Sequence, residues 1–321
     1  MSPRVSVVMP AYQAAWSIGA AASSVLWQTY TDFELIVVDD GSTDATANIV
    51  AALEGPVKIV VQENAGVAAA RNRGIEAAGG ELITFCDADD LWFAEHLAAL
   101  VSLYDREGGI VTSNCYWMLP GGIHPSRQRY KGRFPAPGRQ RQAILEQNFV
   151  STMSIFPRAL FDEIGPFDEQ RRRAEDWDFW LRAIYAGHRV SLQRQPLALY
   201  RWGDTGLSSG WREMDADIEA IFQSLEDRVT LVDEERAYVR RRLSTPGPRV
   251  LSRDGDVALR AGRYTEAARA YRQAAALCPA ERPLVWKARV MSLAPPLSGR
   301  LVRARQLRIE RQLGYEQGHQ R

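Results

Sequence analysis

The first indication of the fold is the sequence Leu82-Ile83-Thr84-Phe85-Cys86-Asp87-Ala88-Asp89-Asp90. Its first five residues form an apolar run of strand length, and closely spaced carboxylates follow directly. Such a strand end builds a site for a hard divalent cation, because oxygen ligands favour Mg²⁺ or Mn²⁺, and these ions usually arrive with a phosphorylated substrate. Acidic turns also follow strands in many unrelated proteins, so this stretch needs support from the rest of the chain.

Outward from that stretch, short β-branched runs alternate with helix-like stretches. Strands are predicted at 5–9, 33–38, 57–61 and 82–86, and helices at 14–28, 43–53 and 67–78. Continuous apolar strands separated by helices predict an α/β fold with a mainly parallel sheet flanked by helices. Right-handed crossovers then place the carboxyl end of every strand at one edge, where open α/β sheets bind ligands.

The other predicted strands end in residues suited to binding. The first ends in Pro10-Ala11-Tyr12, which offers a flat ring and a hydroxyl, and the second ends at Asp39. Residues 40–44 are interpreted either as a turn with a helix cap or as part of the site, and Asp39 is the better ligand candidate. After the third strand, small residues precede Arg71, which could hold a phosphate or the carbonyl edge of a base, or be an exposed helical arginine.

Four motifs, taken in order and spacing, resemble the inverting glycosyltransferases of family 2, whose nucleotide-sugar-binding fold is called GT-A. The motifs are VSVVMPAY at 5–12, VVDDGSTD at 37–44, NAG through ARN at 64–72 and DADD at 87–90. The resemblance implies a donor-nucleotide pocket lined by Pro10, Ala11, Tyr12, Asp39, Arg71 and Asp87. It also implies Asp89 as the metal ligand, with Asp87 as a second candidate, and Mn²⁺ or Mg²⁺ as the cofactor that neutralises the departing diphosphate.

A second group of acidic residues, ahead of an aromatic helix, contains a candidate general base. Residues 171–182 read RRRAEDWDFWLR, and the apolar residues at 177, 180, 181 and 184 have helical spacing. Glu175 and Asp176 then stand at a helix start, where the helix dipole alone would stabilise carboxylates. The segment resembles the family's Glu-Asp motif, which implies Asp176 and Glu175 as catalytic residues and Asp176 as general base on the acceptor hydroxyl. One base and one metal imply a single displacement that inverts the anomeric carbon.

Basic and acidic residues are unevenly distributed along the chain, which suggests two units. The 321 residues are 46% hydrophobic and 25% charged, which is typical of a soluble globular protein. Residues 231–321 carry 19 Lys+Arg and 9 Asp+Glu, although the whole chain has a net charge of only +1. We therefore predict a catalytic domain at 1–230 and a basic helical region at 231–321, with helix breakers at 244–248. Within that region, residues 255–279 resemble one tetratricopeptide hairpin.

Location and further partners follow from composition. No apolar run approaches the ~20 residues that span a bilayer, and no signal peptide is recognisable, so we expect a cytoplasmic protein. The basic segment 301–313 is interpreted as a helix that contacts a protein, lies at the inner face of a membrane or is solvated. Three scattered cysteines exclude a disulfide framework. The basic tail has no base-stacking motif, so nucleic acid is not expected as a partner.

Two other function classes are weighed. A nucleotidyltransferase acting on sugar phosphates would share the sheet and the metal, but it should have a glycine- and lysine-rich phosphate loop near the first strand. A helical-repeat interaction protein without catalysis would leave the acidic edge unexplained.

The sequence indicates the substrates only as chemical classes. The resemblance favours a UDP-sugar donor and a glycan, lipid-linked or other hydroxyl acceptor, in bacterial polysaccharide or glycan assembly. Residues 114–150 and 148–154 are expected to set acceptor specificity, with the basic stretch 127–133 as a flap, an acceptor loop or a solvated loop. Gly203 stands near the place where many family members have a histidine.

Overall fold

The computed structural model describes residues 2–119, 122–202, 211–279, 281–293 and 298–304. These residues group into two compact units. The first contains residues 2–119, 122–144 and 148–202, and the second contains 145–147 and the residues from 211 onward. Gly203 and most of the predicted helix 301–313 lie outside the described residues.

The first unit is built on one sheet whose described strands run in the order β3-β2-β1-β4-β8-β6-β9-β5, with β7 paired to β6. The strands are β1 (Val5–Ala11), β2 (Phe33–Asp39), β3 (Val57–Val61), β4 (Leu82–Phe85), β5 (Leu91–Trp92), β6 (Ile110–Leu119), β7 (Gly122–Gln128), β8 (Ser154–Pro157) and β9 (Val190–Arg201). The helices from the start of the chain through residue 185 are α1 (Ile18–Leu26), α2 (Thr46–Ala51), α3 (Val67–Glu76), α4 (His96–Glu107), α5 (Gln140–Glu146), α6 (Arg158–Ile164) and α7 (Glu175–Tyr185).

Strands β1 to β4 form the parallel part of the sheet. Strand β1 pairs in parallel with β2 and β4, and β2 pairs in parallel with β3. Their carboxyl ends therefore share one edge, which confirms the α/β prediction. Beyond β4 the sheet is mixed, since β8 pairs antiparallel with β4 and β6, whereas β6 and β9 are parallel. Strands β5, β6, β7 and β8 were not predicted, and the two residues of β5 are too few for a period to be read.

An aromatic core holds helix α7 against strands β4 and β8. The rings of Phe167 and Phe179 stack with their centroids 4.2 Å apart. The ring of Phe85 on β4 lies 5.6 Å from that of Phe167 and 5.8 Å from that of Phe156 on β8. Such pairs add about 0.5–1.5 kcal/mol each beyond the area they bury. The start of α7 is therefore fixed close to the end of β4.

Helix α3 packs closely on the sheet at Gly74. A Cβ atom there would overlap Cγ1 of Val8 and lie 3.2 Å from Cγ2 of Val38. We expect Gly74→Ala to lower the free energy of unfolding by about 1–3 kcal/mol, the usual cost of overpacking, as measured by urea denaturation. Gly138→Ala is the control, because its Cβ would meet no atom within 4 Å. Equal unfolding midpoints for the two variants would contradict this packing.

The second unit is helical in its described residues. Its helices are α8 (Trp211–Gln223), α9 (Leu225–Arg228), α10 (Asp233–Leu243), α11 (Pro248–Arg260), α12 (Tyr264–Leu277) and α13 (Arg282–Leu293). Buried residues such as Leu259, Tyr271 and Met291 form its core. The Arg242 guanidinium lies 2.6 Å from the Asp215 carboxylate, which joins α10 to α8.

Two sequence-based expectations bear on this unit. Helix α10 ends before the breakers at 244–248 and α11 begins at Pro248, as predicted. Helix α8 groups with the C-terminal helices, although the charge distribution had drawn the boundary after residue 230. Net charge does not report which helices pack together, so the two divisions of the chain rest on different properties. None of the described helices has both the length and the apolar character needed to span a bilayer.

Candidate active site

The ends of β1 and β2 bring the first group of candidates together. Pro10 and Ala11 are buried within β1, whereas Tyr12 just beyond it is 54% exposed. Ala11 pairs in register with Asp39 at the end of β2. Asp39 is buried, and its Oδ1 accepts a hydrogen bond of 3.0 Å from the backbone N–H of Ser42. A side chain that can stack on a ring thus adjoins a buried carboxylate that can accept from a base.

The acidic turn after β2 is a structural anchor. Asp40 is buried, and its carboxylate accepts hydrogen bonds from Gln62 Nε2 at 2.7 Å and from the backbone N–H groups of Ala65 and Gly66 at 2.8 Å. Asp44 accepts from the backbone N–H of Thr46 at the start of α2. The turn-and-cap interpretation therefore describes both carboxylates. They fix the loops that surround Tyr12 and lead into α3.

Arg71 on α3 joins two parts of the site. Its side chain is 3% exposed, so the interpretation as an exposed helical arginine is wrong. Nη2 donates to Asp87 Oδ1 at 3.0 Å and Nη1 donates to Glu175 Oε1. The rings of Phe85 and Phe167 lie 5.4 and 5.8 Å from the guanidinium carbon. Both terminal nitrogens are therefore engaged by carboxylates, an arrangement that sequence reasoning did not anticipate.

The stretch after β4 holds three carboxylates in different environments. Asp87 is one-quarter exposed and paired with Arg71, whereas Asp89 is half-buried and its side chain accepts no hydrogen bond from another described residue, although its backbone carbonyl accepts from Arg201 Nε at 2.9 Å. Asp90 is buried, and its Oδ1 accepts from the backbone N–H of Arg201 at 2.8 Å. Burial, with the nearby Asp87 carboxylate, raises the pKa of Asp89 to about 6. Burial likewise raises the pKa of Asp90.

These carboxylates fit a cation held jointly with a substrate. No group of three or more His, Cys, Asp or Glu side chains among the described residues forms a ready metal cage. Mg²⁺ is often bound through only one or two carboxylates, with substrate phosphates and water completing its shell. Asp89 and Asp87 can supply two such ligands, and Oδ2 of Asp90 is a buried oxygen without a hydrogen-bond partner in the described part of the chain.

Helix α7 presents the two remaining candidates in its first turn. Glu175 is buried against Arg71; burial raises its pKa and the guanidinium opposes that rise. Asp176 is less buried, and its Oδ2 accepts a 2.9 Å hydrogen bond from Asn148 Nδ2. A left-handed residue, Ala174 with φ of 57°, precedes the helix and sets the direction of this turn. Sequence reasoning had placed Asn148 only in an acceptor region, because no local pattern signals a contact between residues 28 positions apart.

These contacts bring most of the predicted residues to one region. Strand β1 lies between β2 and β4, so the ends of all three strands are neighbours. The Arg71 bridge then ties the end of β4 to the start of α7. A region with a stacking ring, two carboxylates that could hold a cation and a partly buried carboxylate on α7 is suited to nucleotide-linked group transfer with a base.

The chain matches a known family and several relatives over part of its length. The model of the family described as Glycosyl transferase family 2 matches residues 6–165. A relative from Escherichia coli, "UDP-Glc:alpha-D-GlcNAc-diphosphoundecaprenol beta-1,3-glucosyltransferase WfgD", is 32% identical over 184 residues, which cover 56% of this chain and 69% of WfgD. "Amylovoran biosynthesis glycosyltransferase AmsB" from Erwinia amylovora is 32% identical over 206 residues, covering 61% of this chain and 68% of AmsB. Against uncharacterized glycosyltransferases of Rickettsia typhi and Rickettsia prowazekii, the chain spans 64% of their length.

Solved structures share the fold at lower identity. S. aureus TarS 1-349 in complex with UDP-GlcNAc superposes with a TM-score of 0.62 at 19% identity, covering 90% of each chain. The mannosyltransferase PcManGT from Pyrobaculum calidifontis, in complex with GDP-Man and Mn2+, gives a TM-score of 0.57 at 21% identity, covering 94% of this chain and 87% of that one. The fold is thus of the GT-A class, as the resemblance implied.

Fold and sequence together define the family. The chain belongs to glycosyl transferase family 2.

Proposed function

We propose that this chain is a metal-dependent inverting glycosyltransferase that moves a sugar from a nucleotide-sugar donor to a hydroxyl acceptor. The observation that carries the proposal is the Arg71 bridge, because it joins the acidic stretch after β4 to the helix that bears Asp176. A UDP-sugar is the favoured donor, since TarS was solved with UDP-GlcNAc and the name of WfgD includes UDP-Glc. Both WfgD and AmsB are named for glycan assembly, which supports a role in bacterial polysaccharide or glycan synthesis.

The donor nucleotide would bind at the strand ends. Tyr12 offers its exposed ring to the nucleoside, Asp39 accepts a hydrogen bond from the base, and Pro10 with Ala11 forms the buried floor. Asp87 would lie nearest the ribose. Arg71 lies close to this pocket, but its ion pairs favour an indirect role in which it orients Asp87.

The reaction would divide between two carboxylates. Asp176 would take the proton from the acceptor hydroxyl as that oxygen attacks the anomeric carbon from the side opposite the diphosphate. Asn148 holds the Asp176 carboxylate in one orientation for this step. Asp89, with Asp87 as a second ligand, would hold Mn²⁺ or Mg²⁺, which supplies charge neutralisation to the departing diphosphate. Glu175 would act by positioning the helix start through Arg71.

The two parts of the chain are proposed to have different roles. Every site residue lies before residue 203, so we propose that catalysis resides within residues 1–230. The basic helices of 231–321, with a tetratricopeptide-like hairpin at 255–279, would serve contacts to a protein or to the inner face of a membrane from a cytoplasmic location.

Product analysis tests the function. Incubating the purified chain with a panel of nucleotide sugars should release free nucleoside diphosphate, faster with Mn²⁺ than with EDTA, and one nucleotide should raise the melting temperature. A ligand at 100 times its dissociation constant stabilises by about 2.7 kcal/mol. Release of pyrophosphate from nucleoside triphosphate and sugar phosphate would favour a nucleotidyltransferase instead. No turnover and no nucleotide binding would leave the interaction-protein alternative.

A further inference from the structure

Arg129 lies directly after strand β7 beside the segment that carries Asn148. Its backbone N–H donates to the carbonyl of Cys115 on β6 at 3.0 Å, which anchors the residue to the sheet. In the side chain, Nε donates to Tyr130 Oη at 3.1 Å. Nη2 makes two longer contacts, 3.3 Å to the carbonyl oxygen of Val150 and 3.5 Å to that of Asn148. The guanidinium is thus held in place by neutral groups.

No carboxylate of the described residues lies within salt-bridge distance of Arg129. The buried arginines among the described residues of this unit differ, because Arg71 is paired with Asp87 and Glu175, and Arg182 with Asp178. The side chain of Arg129 is half-buried, and neutral oxygens offset only part of the hydration that its guanidinium loses. Its planar fork suits the oxygens of a phosphate. Arg129 therefore has a fixed position and a positive charge without a carboxylate partner, and both properties suit the binding of an anionic ligand.

The neighbours of Arg129 indicate which substrate would bring that anion. Arg129 contacts the carbonyl of Asn148, and the side chain of the same Asn148 holds Asp176. Asn148 thus contacts both the proposed base, Asp176, and the guanidinium of Arg129. Asp176 must meet the acceptor hydroxyl, so a group bound at Arg129 belongs to the acceptor side of the reaction. The donor diphosphate has its own partners, the carboxylates after β4 with their cation.

We propose that Arg129 binds a phosphate group of the acceptor, so that the acceptor is a phosphate-bearing glycan or carrier rather than a neutral sugar. This inference rests on the proposed function and narrows its acceptor class. The name of the relative WfgD includes an acceptor sugar joined to a diphosphate, which fits such a contact. Tyr130 helps to fix the guanidinium of Arg129, because its hydroxyl donates to the carbonyl of Phe149 at 2.7 Å and accepts from Arg129.

Binding measurements on the whole chain test the proposal. The donor site is first saturated with the nucleotide found in the donor screen, with Mg²⁺ present. N-acetylglucosamine 1-phosphate is then titrated by calorimetry, and N-acetylglucosamine serves as the uncharged counterpart. We expect the phosphate ester to bind at least tenfold more tightly than the free sugar. Arg129→Gln should weaken the ester by about 10- to 100-fold, the usual effect of losing a charge-assisted hydrogen bond, and leave nucleotide affinity unchanged.

A matched control comes from outside the expected acceptor region. Arg106→Gln removes an exposed arginine on α4 and should leave the affinity for the phosphate ester unaltered. Arg129→Lys retains the charge but not the fork, and it should recover part of the affinity. Melting temperatures of all variants separate loss of binding from loss of folding, and retained nucleotide affinity shows that the donor site is intact.

Several outcomes would overturn the proposal. They are equal affinity of the wild type for ester and sugar, no measurable ester binding, unchanged ester affinity in Arg129→Gln, or ester binding that disappears when the nucleotide is present. The last result would assign Arg129 to the donor diphosphate. Nucleotide binding without ester binding defeats this inference alone, whereas a chain that neither binds nor turns over any nucleotide sugar defeats the proposed function with it.

Discussion

The Asp176→Asn variant is expected to turn over about 10²–10⁴ times more slowly than the wild type, the range that general-base catalysis contributes. The amide is nearly isosteric with the carboxylate but cannot take the acceptor proton. Its oxygen can still accept the hydrogen bond that Asn148 donates at 2.9 Å, so the local structure should persist. Nucleotide affinity should stay within about twofold, because Asp176 contributes to the chemical step and not to donor binding. Steady-state kinetics and nucleotide titration measure both quantities.

The control for this variant is Asp162→Asn, an exposed carboxylate on α6. It changes the net charge equally and should leave turnover within experimental error. If Asp176→Asn kept wild-type turnover, the base would have to be another group, and the assignment would be abandoned.

Asp89→Asn should abolish the stimulation of turnover by Mn²⁺ and lower turnover by about 10³-fold, which corresponds to several kcal/mol of lost charge stabilisation. Folding should be unaffected, since the Asp89 side chain accepts no hydrogen bond from another described residue. The measurement is the rate of nucleoside diphosphate release against Mn²⁺ concentration, together with the melting temperature.

The Asp90→Asn variant is the control for Asp89→Asn. Its carboxylate accepts from the backbone N–H of Arg201 and is buried, so its main expected effect is on the melting temperature. A wild-type Mn²⁺ dependence in Asp89→Asn, or an equal loss of that dependence in both variants, would mean that Asp89 is not the specific anchor of the cation.

The parallel half of the fold was readable from the sequence because β1, β2 and β4 are buried on both faces and are followed by turn residues. Runs such as 35–38 are continuously apolar, and the crossover rule then places Asp39 and Asp87 at one edge without any knowledge of coordinates. The helix start at Glu175 was readable for a similar reason, since the aromatic spacing after it has one interpretation.

Other features were not readable because they depend on contacts between distant residues. The burial of Arg71 is set by Phe85 and Phe167 and by a carboxylate 104 positions away. The contact of Asn148 with Asp176 and the lack of a carboxylate at Arg129 likewise arise from how the segment 148–150 folds back on β6 and β7. Charge counting located a basic tail and drew a boundary after residue 230, whereas the grouping of α8 with the C-terminal helices depends on packing, which is decided by apolar faces.

The Arg71 bridge constrains how this enzyme can be re-engineered. Exchanging Arg71 alone leaves the buried Glu175 without its counter-ion, and exchanging either carboxylate alone leaves one guanidinium nitrogen without its partner beside two aromatic rings. Replacements at these three positions should therefore be made in compensating pairs. Attempts to broaden the choice of donor nucleotide should therefore leave the trio intact and begin with solvent-facing Tyr12, where libraries can vary shape without disturbing the scaffold.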